Sequence, residues 1–72
     1  MSDVPTEVEE WVAGFAGRLG VEPPSEQTIN EILDLAGLAA RGSARQAAPI
    51  ACWLAAAAGR TPLEAQQLAT ED

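Results

Sequence analysis

Of its 72 residues, none is histidine, lysine or tyrosine, and one, Cys52, is cysteine. The first three absences remove the usual general bases, the Schiff-base amine and the phenolic acid. A lone cysteine excludes an internal disulfide and fits a reducing cytoplasm better than a secreted, stapled scaffold. With no imidazole to activate it, Cys52 reads as a small buried hydrophobe. The chain is therefore expected not to be an enzyme and to hold no metal or cofactor.

Long apolar runs are also missing. The longest, Ala47 to Ala58, is twelve residues, whereas a membrane span needs about 18 or more. The N-terminal residues are acidic (Asp3, Glu7, Glu9, Glu10), the opposite of a secretory signal. No segment alternates apolar and polar residues with period two, so no strand is expected. Positive charge is scarce: four arginines stand against eleven acids, for a net charge of −7. That field repels phosphate backbones, which argues against a nucleic-acid partner. The sequence thus points to a cytoplasmic protein with neither nucleic acid nor membrane as partner.

What remains is helical. Val8, Trp11, Val12, Phe15, Ala16 and Leu19 recur at the spacing of an amphipathic helix. A Thr6-x-x-Glu9 capping box precedes them and Gly20 follows as a stop. Pro23 and Pro24 break the chain. Ser25 can cap a second helix, with Thr28-x-x-Glu31 offering another box, and Gly42 ends it. Ile29, Ile32, Leu33, Ala36 and Ala40 form its stripe, widened by Leu35 and Ala39. Ser43-x-x-Gln46 can open a third helix, and Pro49 either marks its start near Ala48 or kinks it. Thr61-Pro62-Leu63-Glu64 opens a fourth. The expectation is one all-α domain over residues 1–72, with helices at about 7–19, 26–41, 47–58 and 62–69 and frayed ends at 1–5 and 70–72. Its expected core is Val8, Trp11, Val12, Phe15, Leu19, Ile29, Ile32, Leu33, Ile50, Trp53 and Leu54.

Several chemical readings fail on the residues. The carboxylate pairs Glu31/Asp34 and Glu7/Glu10 lack the histidine that helical di-metal sites add, so they read as solvated faces. A carrier domain needs Asp-Ser at a helix start; none of Ser2, Ser25 and Ser43 follows aspartate. Gly59-Arg60-Thr61 resembles a helix-turn-helix corner, but the helix after it offers Glu64, Gln66 and Gln67 rather than basic residues.

Two features stay open. Residues 41–60 hold Arg41, Arg45 and Arg60 without an acid, +3, while residues 1–40 hold eight acids and one arginine, −7. Arg41 and Arg45, with Pro49 nearby, either form an anion site at a helix start or serve dipole complementation and ion pairing. In the third helix, Ile50, Trp53 and Leu54 form a bulky stripe expected to face the core. Ala48, Cys52, Ala55 and Gly59 form a ridge of small residues that permits close backbone approach. That ridge is expected to be an interaction face for a protein partner or a second copy, with solvent exposure and internal packing as alternatives.

Residues 43–54, Ser-Ala-Arg-Gln-Ala-Ala-Pro-Ile-Ala-Cys-Trp-Leu, resemble the Ala-Arg-x-Ala-Ala-Pro-Leu segment of a small helical family of unknown function. Glu10 to Gly20 and Ile32 to Ala36 resemble it too. The family occurs in GC-rich bacteria, alone or fused behind a molybdenum cofactor guanylyltransferase-like nucleotidyltransferase. The positions that carry over are Trp11, Asp34, Arg45, Ala47, Ala48 and Pro49. The resemblance implies a stand-alone accessory domain linked to molybdenum cofactor maturation or to formate dehydrogenase. The function expected is a non-catalytic accessory or protein-interaction module. The alternative is a domain that binds a phosphorylated small molecule through Arg41 and Arg45.

Overall fold

A computed structural model describes residues 4–70. Four helices follow one another: α1 (Thr6–Leu19), α2 (Glu26–Gly42), α3 (Ala47–Ala57) and α4 (Pro62–Ala69). Among the described residues there is no strand, and no helix is long and apolar enough to cross a membrane. The fold is all-α, as the periodicity requires. The chain forms two compact units, Met1–Asn30 and Glu31–Asp72.

The first unit is built on α1. Its expected capping box does not form. Pro5 takes the N-cap position with extended backbone, and no side chain caps the helix. The Pro5 carbonyl accepts from Val8 N at 3.0 Å and Glu9 N at 3.2 Å, so Thr6 is already inside the first turn. The far end closes as expected. Gly20 adopts φ 77°, the Gly20 amide donates to Gly17 O at 3.2 Å and the Val21 amide to Ala16 O at 3.0 Å. This paired closure needs a left-handed residue, which glycine supplies without a Cβ clash. Ala16 and Val4 are the buried side chains here. Residues 1–3, within the end expected to fray, lie outside the described residues. Ser25 then caps α2: Thr28 N donates to its Oγ at 3.1 Å, and Ile29 N to its carbonyl at 2.9 Å. The Thr28-x-x-Glu31 box lies inside the helix.

The second unit holds the rest of α2 with α3 and α4. Ser43 does not open α3; its amide donates to Ala39 O at 3.0 Å and so ends α2. Between them, Ala47 N donates to Ala44 O at 2.9 Å and Ala48 N to Arg45 O at 3.2 Å. Helix α3 begins at Ala47, which puts Pro49 in the first turn. Its missing N–H is one the helix would leave unpaired anyway, so there is no kink. Gly59, at φ 73°, closes α3 with the same paired bonds as Gly20: Gly59 N to Ala56 O and Arg60 N to Ala55 O, both 3.0 Å. The capping box of α4 forms in full, with Glu64 N donating to Thr61 Oγ1 at 3.1 Å and Thr61 N to Glu64 Oε1 at 2.9 Å. The Thr70 amide donates to Gln66 O at 3.2 Å and its hydroxyl to Gln67 O at 3.0 Å, and residues 71 and 72 of the end expected to fray lie outside the described residues.

The core departs from expectation. Val12, Ile29 and Ile32 are half-buried, but Val8, Trp11, Phe15, Leu19, Leu33, Ile50, Trp53 and Leu54 are exposed. In the second unit the anchor is Leu35, 3% exposed, a residue that seemed only to widen the α2 stripe. Two consecutive carbonyls of α2 hold the other helices near it. Glu31 O accepts from Gln66 Nε2 of α4 at 2.8 Å, and Ile32 O lies 4.0 Å from the Cys52 thiol of α3.

Two predictions follow from these helix ends. Pro49→Ala should keep the fold and lower stability by about 0.4–1 kcal/mol, through a less constrained unfolded chain; chemical denaturation reads this. The backbone hydrogen bond from Thr61 holds the Glu64 carboxyl below its ordinary value, helped by the Thr61 hydroxyl and Arg60. A depressed acid stabilises the fold above its unfolded pKa, and that contribution is lost as pH falls through the folded value. Thr61→Ala should cost about 1 kcal/mol at neutral pH, and the gap between wild type and Glu64→Gln should narrow on acidification.

Candidate functional site

Helix α3 has one small and one bulky side, and they lie on opposite faces. Ala48, Cys52 and Ala55 are half-buried, whereas Ile50, Trp53 and Leu54 are exposed. The orientation is the reverse of the one expected for the bulky stripe. The small side faces α2, with Cys52 Sγ 4.0 Å from Ile32 O. Cys52, Ala55 and Ala56 line a cavity of about 140 Å³ with Ile32, Leu35, Arg60 and Pro62.

The outward face of α3 is unusual for its chemistry. Trp53 is 70% exposed and Ile50 59%, and no charged side chain lies between Ala47 and Gly59. Arg45 lies in the turn before α3, and Arg60, just after Gly59, lines the cavity on the inner side. In the first unit, α1 presents a comparable face of Val8, Trp11, Phe15 and Leu19, with Trp11 62% exposed. Trp11 and Phe15, one helical turn apart, stack with ring centroids 5.1 Å apart and planes at 28°. Of the nearby acids, Glu7 flanks this face, whereas Glu10 lies on the opposite side of the helix.

The other candidate residues are placed as follows. Arg41 and Arg45 are both exposed. The Arg41 guanidinium folds back over its own helix, its Nη1 3.0 Å from where a Cβ on Gly37 would stand. The start of α3 offers few amides: those of Ala47 and Ala48 are bonded to turn carbonyls, and Pro49 has none. Gly59 is exposed and serves to close α3. Among the described residues, no group of three or more acids or cysteines is positioned to hold a metal ion. A second cavity, about 190 Å³, lies in the first unit between Val12 and Ala13 of α1 and Pro23, Pro24 and Ile29, with Glu9 and Glu26 at its sides.

The sequence reading overlooked Trp53 as a surface residue and Gln66 as a structural one. The signal for Trp53 was present in the absence of any polar side chain on α3, which left its inward face undetermined. Nothing local distinguishes Gln66 from its neighbour Gln67.

Family comparison places the chain. It belongs to a family described as a domain of unknown function (DUF6457). The family model matches residues 3–72. No curated protein and no solved structure matches it.

The two faces of α3 should answer differently to the same probe. Ala55→Arg puts a long charged side chain against Ile32 and Leu35 and should cost about 1–3 kcal/mol. Trp53→Arg adds the charge on the water side and should shift stability by less than about 1 kcal/mol. Thermal unfolding followed by circular dichroism compares them; equal effects would contradict the packing of the small face.

Proposed function

We propose that this chain is a non-catalytic accessory module that works by docking on protein through its exposed apolar helix faces. The observation that carries the reading is Trp53, 70% exposed beside Ile50 and Leu54 on a helix with no charged side chain. Contiguous apolar surface of this kind marks an interaction site, and tryptophan is enriched among residues that dominate binding energy. A half-exposed lone leucine would carry no such weight.

The residues that would serve an enzyme point the same way. Cys52 sits on a helix carbonyl, and no histidine is present to activate it. The similarity of residues 43–54 to a family fused to molybdenum cofactor guanylyltransferase-like domains supports a role beside molybdenum cofactor maturation. In this role the module would position or stabilise a maturation enzyme.

The test uses cells that lack the chain, complemented with wild type or with Trp53→Arg. Molybdenum cofactor content and formate dehydrogenase activity are measured, together with proteins retained by each form. The expected result is rescue by wild type and loss of both rescue and binding with Trp53→Arg. Full rescue by Trp53→Arg would overturn docking through α3, and no change in cofactor content on deletion would overturn the molybdenum role.

A further inference from the structure

We propose that the cavity between α2, α3 and the start of α4 binds a short-chain monocarboxylate. Its hydrocarbon tail lies against Ile32, Leu35 and Ala55, and its carboxylate lies on the Arg60 guanidinium. All the lining residues belong to the second unit, on the side of α3 away from Trp53. The site is therefore separate from the proposed docking face.

Size and lining select the tail. Helix α2 gives Ile32 and Leu35 to the walls, α3 gives Cys52 and Ala55, and α4 gives Pro62. The volume, about 140 Å³, is close to the roughly 150 Å³ at which an apolar protein cavity stays dry and takes up benzene. A held water needs about two to four polar partners. Of the lining side chains only Cys52 and Arg60 are polar, and the thiol is turned toward Ile32 O at 4.0 Å. A hydrocarbon tail of about five carbons occupies a space like that of benzene and gives up no hydrogen bond on entering.

Arg60 selects the end group. The lining grades from Leu35, 3% exposed, through half-buried Ile32, Cys52, Ala55 and Pro62 to exposed Arg60. The cavity therefore opens to water at Arg60, where a charged group keeps part of its hydration. Among the described residues the Arg60 guanidinium has neither an ion pair nor a hydrogen bond. Its charge reaches Glu64, but that carboxylate already accepts from the Thr61 amide at 2.9 Å. The planar guanidinium fork matches a carboxylate with two parallel hydrogen bonds.

The same walls reject other anions. A nucleotide or sugar phosphate would bury hydroxyls and amides that find no partner there, and the C-terminus of a peptide would bury its last amides in the same way. A long fatty acid exceeds the volume.

The full chain is titrated with hexanoate, hexanamide and hexylamine, which present similar tails and differ in charge. Binding is read by thermal shift and by the rate at which iodoacetamide alkylates Cys52, the single thiol and part of the cavity wall. Hexanoate at millimolar concentration should raise the melting temperature and slow alkylation, with hexanamide weaker and hexylamine weakest. Butanoate, two methylenes shorter, should bind about fifteenfold more weakly. Arg60→Gln should weaken hexanoate about tenfold and leave hexanamide unchanged, with helicity checked by circular dichroism. Ala55→Leu fills the cavity and should abolish the thermal shift; Ala55→Val replaces it if helicity is lost. Trp53→Arg, on the opposite side of α3, should bind hexanoate as wild type does, so failure of the docking reading leaves this site standing.

Hexanoate that gives neither a thermal shift nor protection of Cys52 overturns the site. Equal binding of hexanoate and hexanamide overturns the role of Arg60. Undiminished binding by the filled variant places the acid elsewhere and overturns the cavity as its site.

Discussion

In the second unit α3 turns its small side chains toward α2. Ala48, Cys52 and Ala55 present almost no bulk, so the Cys52 sulfur lies 4.0 Å from the Ile32 carbonyl, and Leu35 lines a cavity of about 140 Å³ beside them. Everything about α3 then follows from helical geometry. Residues half a turn from the small ridge must point away, and those are Ile50, Trp53 and Leu54. The helix is held by small volume on one side and leaves its largest apolar groups on the other.

This arrangement explains why polar contacts matter in a chain with so thin an interior. Among the described residues only Val4, Ala16 and Leu35 are buried apolar side chains. The ends of the helices supply order that the interior does not. Gly20 and Gly59 close α1 and α3 with paired carbonyl bonds, Ser25 caps α2, and Thr61 with Glu64 caps α4. Each is worth only about 1 kcal/mol, but in a small domain of marginal stability such terms are a large fraction of the total. The Gln66 side chain adds a tie from α4 to the middle of α2.

Charge and apolar surface are organised together. The acids concentrate where α1 carries its aromatic pair, and the arginines stand at both ends of the charge-free α3. The net charge of the chain is −7. The anion-site alternative finds less in the same region, since Arg41 lies along its own helix and the first amides of α3 are taken or missing.

The helices were legible because their signals are local. Apolar spacing, Gly20, Gly59 and the Thr61-Pro62-x-Glu64 start act within a turn or two, and the four helix spans agree with expectation to within a residue at each end. Thr6 misled because Pro5 offers its carbonyl one position earlier, and Ser43 because it had a use in ending α2. The interior was not legible in the same way. A helix with a polar side declares which face is buried, and α3 has none, so its composition is compatible with either rotation. Sequence alone determined an all-helical chain, its helix boundaries and its uneven charge. Only the tertiary structure decided that Leu35 and the small residues of α3 pack inside while Trp53 faces water. That choice depends on how closely two backbones can approach, a property of pairs of helices rather than of any one segment.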